Sequence, residues 1–277
     1  NGAITASSAG ALTVTDVASG TNGNIVLSTS SGDITGLAVV NAGSGNVTLN
    51  SAGAIVDDGS SGTVITGGVL TADAAGAITI DSTVTSANIS TSAAGAVDLD
   101  ETDGITLTDV DTNDGSITVD AGGLITATDV VASGGSGDSV TLSTTTGGAV
   151  ATLVTGADAV SITANAGDIT IGSVTATAGT LGVTATAGSI NDAADDNTAD
   201  FTAGGLISLT AQDEIGVLGS GSDLDLEFAA GSSVNVSTTG TGAIDLDGLG
   251  ALTLSDVDTV NGAITASSAG ALTVTDV

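Results

Sequence analysis

The residues of this sequence that are equipped for chemistry are carboxylates that alternate with apolar side chains. Two short runs carry them, 223–228 with the letters DLDLEF and 244–247 with the letters IDLD. Such alternation is typical of a β-strand, in which successive side chains point to opposite faces. Each run therefore predicts a strand with an apolar face turned inward and a row of acids turned outward.

The two acidic runs share one spacing, because the offset from Asp225 to Asp245 equals the offset from Glu227 to Asp247. Strands stacked at that offset would place Asp225 beside Asp245 and Glu227 beside Asp247, about 5 Å apart, where like charges destabilise a sheet. A hard divalent ion with oxygen ligands, Ca²⁺ above all, would offset the repulsion. The alternative is a hydrated acidic face that monovalent salt screens. The predicted metal ligands are Asp225, Glu227, Asp245 and Asp247.

The composition restricts every other kind of chemistry. The chain has no Lys, Arg, His, Cys or Tyr, and its 32 acids give a net charge of −32. Enzymes need a proton carrier or nucleophile tuned near the working pH, and here only carboxylates and hydroxyls remain. Without basic side chains the chain cannot neutralise phosphates, which excludes nucleic acid and anionic membrane surfaces as partners. No apolar run is long enough to predict insertion into a membrane.

Two local patterns suggest alternatives that we weigh against ordinary turns. A polysaccharide hydrolase would need paired acids, and Asp57-Asp58 and Asp195-Asp196 are such pairs, but both lie among turn residues. Residues 134–140, GGSGDSV, are similar to a calcium-binding nonapeptide, yet Asp138 stands one place early and no second copy follows. We interpret all three segments as turns and predict that the chain is not an enzyme.

Outward threonines are the basis of a further alternative, a face that binds ice or glycans. Such a face needs one Thr-x-Thr pair in every coil, all in register. A common step is kept only by residues 106–108 with 126–128 and by 253–255 with 273–275. Because Thr is also a good solvent-facing strand residue, these pairs are equally compatible with plain strands.

The elements that must position these residues follow from two nested repeats. Residues 1–17, NGAITASSAGALTVTDV, recur without a change at 261–277, so the long period is 260 residues. We predict one repeat unit at 1–260 and the first coil of the next identical unit at 261–277. The verbatim identity predicts tandem duplication, and the absence of Met predicts that the sequence is a window of a longer polypeptide.

A shorter, degenerate period lies inside the unit, where a Gly precedes an aliphatic residue twelve times. Twelve steps in 260 residues average about 21–22 residues each, with three short apolar groups in each step. The apolar residues alternate with polar ones, and Gly, Asn, Asp and Ser separate the groups. The pattern predicts an all-β fold: a right-handed parallel β-helix, or three-sided β-solenoid, of about twelve coils.

The coils GAITASSAGALTV and GNVTLNSAGAIV resemble the β-helical repeats of filamentous haemagglutinin-type exoproteins and other large bacterial surface adhesins. The likeness covers nearly the whole chain. It implies secretion, display at the cell surface and an elongated shape.

These observations favour a structural role. The leading hypothesis is an extracellular fibre or adhesin stalk made of tandem solenoid units, continued head to tail by further copies of itself. Nothing in the sequence caps an open end of the solenoid, and an unpaired strand edge invites another strand. The alternative function is an ice- or glycan-binding solenoid module with an outward Thr face.

Overall fold

The computed structural model describes residues 2–20, 22–60, 62, 64–194, 196–216, 223–229 and 231–277. Every regular element within these residues is a β-strand. In chain order the strands are β1 (Ile4–Ser8), β2 (Leu12–Thr13), β3 (Val17–Ala18), β4 (Ile25–Thr29), β5 (Ile34–Leu37), β6 (Val40–Asn41), β7 (Val47–Ser51), β8 (Ile55–Asp57), β9 (Ile65–Ala74), β10 (Ile78–Ala94), β11 (Val97–Glu101), β12 (Ile105–Asp114), β13 (Ile117–Ala121), β14 (Ile125–Ala127), β15 (Val130–Ala132), β16 (Val140–Thr144), β17 (Ala149–Ala151), β18 (Val154–Gly156), β19 (Val160–Ala164), β20 (Ile169–Ile171), β21 (Val174–Ala176), β22 (Leu181–Ala185), β23 (Ile190–Asp192), β24 (Phe201–Ala203), β25 (Ile207–Ala211), β26 (Leu224–Phe228), β27 (Val234–Thr238), β28 (Ile244–Gly248), β29 (Leu252–Thr259), β30 (Ile264–Ser268) and β31 (Leu272–Val274).

The strands stack in parallel, each on the equivalent strand of the next coil. In the first coils β1 pairs with β4, β2 with β5 and β3 with β6, which gives three strands per coil. The ladder that starts with β2 reaches β31, its sequence equivalent, after twelve coil-to-coil steps. The predicted parallel β-solenoid of about twelve coils is confirmed.

The core consists of small aliphatic side chains that stack on one another along the axis. Ile25 and Leu27 in β4 lie directly against Val47 and Leu49 in β7, and all four are fully or almost fully buried. The intervening residues of each strand are only half-buried. A narrow interior filled in layers explains the restricted composition, since each side chain meets its own kind one coil away.

The corners are held by short polar side chains that bond to the backbone. The Thr29 hydroxyl donates to the carbonyl of Gly32 at 2.8 Å, and the Ser51 hydroxyl donates to that of Ala54 at 2.8 Å. Other corner groups link successive coils: the Asp33 carboxylate accepts from the N–H of Ala54 at 2.8 Å. These bonds satisfy turn groups that a strand ladder leaves unpaired, which is why Ser, Thr, Asn and Asp separate the strands.

The two copies of the 17-residue segment are bonded on opposite faces. In the first copy the N–H groups of Ile4 and Leu12 donate to the following coil, at 2.9 and 2.8 Å. In the second copy the carbonyls of Ala263 and Ala271 accept from the preceding coil, each at 2.9 Å. Both copies keep the same in-register pairing over five residues, β1 with β4 and β30 with β28. The same 17-residue segment therefore pairs with a following coil in its first copy and with a preceding coil in its second copy.

Coil length varies along the chain. The step from Val140 to its partner Val160 is clearly shorter than the step from Ile207 to its partner Val234. The extra residues lie at the corners, because the strands themselves keep five residues each. Long corners are concentrated between β23 and β28, and they surround the acidic strand β26.

Candidate functional site

The acids of β26 and β28 stack in a register that differs from the predicted one. Asp225 pairs with Asp247, and Asp245 pairs with Thr265 on the next coil. The prediction of Asp225 beside Asp245 and of Glu227 beside Asp247 is therefore wrong. The coil from β26 to β28 is longer than the offset from Asp225 to Asp245, because the corner between these strands holds extra residues that the spacing of the acidic letters does not indicate.

The column of acids continues into the coil before β26. Asp200 directly precedes β24, whose Phe201 pairs with Leu226, so Asp200 lies next to Asp225. The backbone N–H of Asp225 donates to the Asp200 carboxylate at 2.8 Å, and the N–H of Asp200 donates to the carbonyl of Asp225 at 3.0 Å. Aspartates therefore occupy the same position on three successive coils, 200, 225 and 247.

Two of the predicted ligands, Asp225 and Asp245, are buried and do not face solvent, and their neighbour Asp200 is buried as well. Asp225 is only 3% exposed, Asp200 is 4% exposed, and Asp245 is also buried. Sequence alternation correctly predicts that Asp225 does not enter the apolar interior, since its neighbours Leu224 and Leu226 belong to the core. Alternation does not indicate whether another segment covers the outer wall, so the sequence does not predict this burial.

Three carboxylates converge at this column. One oxygen each from Asp223, Asp225 and Asp247 lie within 4.8 Å of one another. Asp223 is not among the predicted ligands, although its place two residues before Asp225 in the alternating run is a signal for it. Glu227 pairs with Thr202 and is exposed, and Glu227 and Asp245 are not part of the three-carboxylate group.

Burial and mutual repulsion shift the protonation of this column. Desolvation raises the pKa of Asp200 to about 8, with a further contribution from Asp192. Desolvation, followed by the charges of Asp223 and Asp247, raises the pKa of Asp225 to about 6. The chain contains no Lys, Arg or His that could neutralise these groups. The column therefore favours binding of a proton or a cation from solution.

A row of hydroxyls forms a second surface with regular spacing. The outer positions of five successive strands pair in register and are all half-buried: Ser143, Thr163, Thr184, Thr210 and Ser237. The predicted pairs Thr106 with Thr126 and Thr253 with Thr273 are also in register. The longer row escapes a search for a fixed period, because its steps along the sequence lengthen from its first pair to its last.

Most residues of the remaining acid pairs and of the Gly-rich segment lie outside the strands, but Asp57 is the buried last residue of β8. The carboxylates of Asp57, Asp58 and Asp196 each accept from the backbone N–H two residues ahead, at 2.8 to 2.9 Å. Asp195 lies outside the described residues. In the segment 134–140 the N–H of Gly135 donates to Asp138 at 2.6 Å, which closes a local turn. These contacts agree with the interpretation of these segments as turns.

Comparison with known proteins does not identify a family or a function for this chain. No protein-family model, no curated protein and no solved structure matches the chain. Among the residues that the structure describes, no helix has the length and apolar character needed to cross a membrane.

Proposed function

We propose that this chain is a structural module of an extracellular fibre or adhesin stalk, in which identical solenoid units continue one another end to end. The observation that carries the proposal is the opposite bonding of the two copies of the 17-residue segment. Residues 261–277 form hydrogen bonds with the coil before them, and residues 2–17 form hydrogen bonds with the coil after them. A single copy placed between two units would satisfy both.

The side chains support the same continuation. Ile264 stacks on Ile244, and Ile4 stacks on Ile25, so the shared isoleucine would lie between two isoleucines. Likewise Leu272 stacks on Leu252 and Leu12 on Ile34. Burial of stacked aliphatic side chains and pairing of strand edges are the driving forces for continuation.

The occupant of the open edge is the next identical unit, which the repeated segment already begins. Twelve coils at a strand spacing of about 4.8 Å make each unit about 58 Å long. A non-enzymatic role fits a surface formed of hydroxyls, amides and carboxylates without a basic group. The placement outside the cell rests on the likeness of the coils to filamentous haemagglutinin-type repeats, which are secreted.

The test compares a chain of one unit with a chain of two units joined through the natural segment. Small-angle X-ray scattering or electron microscopy should show a rod whose length grows by about 58 Å at constant width. The matched control replaces the junction residues 261–277 of the two-unit chain by a Gly/Ser linker of the same length. That control should show two rods at variable angles, and an equally straight control rod would contradict the proposal.

The hydroxyl row gives specific support to a second candidate, a face that binds glycans or ice. Its five members lie in register on β16, β19, β22, β25 and β27 and present hydroxyls at the strand spacing. Replacing Thr163 and Thr184 by Val would remove two hydroxyls at little cost in volume. Binding of a glycan array or slowed ice growth that the double variant loses would favour this candidate over a purely mechanical role.

A further inference from the structure

The acidic column combines deep burial with the absence of any internal counter-charge. Asp225 is 3% exposed, and none of the described residues donates a hydrogen bond to its carboxylate. Within the described part of the chain its hydrogen bonds to Asp200 run through its backbone. A carboxylate this little exposed and without a donor is costly, so a partner from solution would stabilise it.

The neighbours of Asp225 indicate what that partner is. Asp223 and Asp247 each direct one oxygen toward the same point, within 4.8 Å of each other and of an Asp225 oxygen. Both are half-buried, so the point is accessible from solution. A single proton could satisfy one of the three carboxylates and would leave the other two facing each other. A multivalent cation satisfies all three at once.

We infer that Asp223, Asp225 and Asp247 bind a divalent cation of the Ca²⁺ class between two neighbouring coils. Two oxygens that share one Ca²⁺ at about 2.4 Å stand at most about 4.8 Å apart, and the three oxygens lie within that distance of one another. Mg²⁺, with bonds of about 2.0–2.1 Å, requires its ligands to be closer and in a strict octahedron. Carboxylate oxygens without nitrogen or sulfur ligands favour a hard cation over Zn²⁺.

The location of the site indicates what the ion does. Asp225 lies in β26 and Asp247 in β28, and Asp223 ends the segment that enters β26. An ion held by all three joins the outer walls of two neighbouring coils. Its binding would stiffen this stretch of the solenoid. Asp247 also accepts a hydrogen bond from the Ser267 hydroxyl of the repeated segment, but ion binding can be tested on a single unit. The inference and the proposed fibre assembly can therefore fail separately.

The experiment measures Ca²⁺ binding by isothermal titration calorimetry and the melting temperature, with the single-unit chain as it is. The wild-type chain should show one site tighter than the general binding of cations to its acids. Millimolar Ca²⁺ should raise the melting temperature more than Na⁺ at equal ionic strength. The double variant Asp225→Asn, Asp247→Asn should lose the tight site and the extra rise, because amides carry no charge to hold the ion.

The matched control is Asp81→Asn with Asp100→Asn, an in-register acidic pair elsewhere that removes the same two charges. It should keep both the tight site and the Ca²⁺-specific rise in melting temperature. Circular dichroism spectra at low salt establish that each variant folds. The inference is overturned if Na⁺ matches Ca²⁺ in the wild-type chain. It is also overturned if the control pair and the site pair lose Ca²⁺ binding equally.

Discussion

The coils from β13 to β22 and the coils from β23 to β28 use the same strands in different ways. In the first region the coil steps are short and each strand alternates apolar and half-exposed residues, as β16 and β22 show. In the second region the corners are longer, Phe201 fills the interior, and Asp200 and Asp225 are buried on the outer wall. The strand ladder is parallel and in register in both.

The difference shows that a solenoid can keep its stabilising strand ladder while the residues at its corners vary. The ladder depends on strand positions and tolerates extra residues at the corners, because those residues leave the hydrogen-bonded register unchanged. Longer corners can then cover polar groups that short corners leave in water. The regular coils supply the scaffold, and the irregular coils hold neighbouring aspartates, Asp200 and Asp225, that are taken out of solvent.

The largest effect on stability is expected at Phe201, which is the bulkiest fully buried side chain among the described residues. Phe201→Ala should lower the free energy of unfolding by about 3–5 kcal/mol, because it leaves a cavity between Val174 and Leu226. In the regular region Ile162→Val should cost only about 0.5–1.5 kcal/mol. Urea unfolding measures both, and similar losses would show that the two regions are packed alike.

The next effect is a dependence on pH. The pKa of Asp200 is raised to about 8 by burial, so the folded chain favours the protonated acid. Its contribution to stability is complete below the unfolded pKa, near 4, and is lost as the pH rises to about 8. Without divalent cations the free energy of unfolding should fall across this window. Asp200→Asn should flatten the fall by about 2 kcal/mol, whereas Asp98→Asn, at an exposed position, should leave it in place.

Space at the corners of the regular coils gives a smaller effect. A methyl group added to Gly122 would lie 2.1 Å from the carbonyl oxygen of Thr102, so Gly122→Ala should cost about 2 kcal/mol. At Gly182 nothing lies within 4 Å, and Gly182→Ala should stay within about 0.5 kcal/mol of the wild type. Thermal unfolding of the two variants measures the loss of stability at a corner, Gly122, and within a strand, Gly182. Equal tolerance would mean that the corners can widen without cost.

The smallest effect concerns Glu101, an acid inside the otherwise apolar wall of β11. Desolvation raises its pKa to about 7, although the Ser82 hydroxyl donates to it at 2.6 Å. Glu101→Gln should therefore stabilise the chain by about 1 kcal/mol at pH 8 and make no difference below pH 4. Chemical unfolding at the two pH values checks this. A loss of stability at pH 8 would mean that the charged form is the one the fold prefers.

The sequence predicts the fold well because strand alternation and turn residues recur in every coil. It predicts the ladder from β2 to β31, since both strands lie in the repeated segment. It also contains the signal for Glu101, which has the same parity as Val97 and Leu99 and is buried with them. The parity of a strand distinguishes the inner wall from the outer wall whenever the strand itself is recognised.

The candidate site is predicted only in part, because its geometry depends on corner length. Two of the four predicted ligands, Asp225 and Asp247, do meet, but through a longer coil than the spacing of the acidic letters indicates. Asp200 joins them from a coil whose corner is longer still. Corner residues have no ladder to restrict them, so their path cannot be deduced from the period of the strands.

The parallel stacking of the strands would give the proposed assembly a polarity. All strands stack in one direction along the axis, so one tip of each unit presents the edge of its first coil and the other presents the edge of its last coil. A filament made this way is a directional polymer with two chemically distinct tips. A cap or receptor that fits one tip would not recognise the other, and growth at one tip could be stopped while the other remains open.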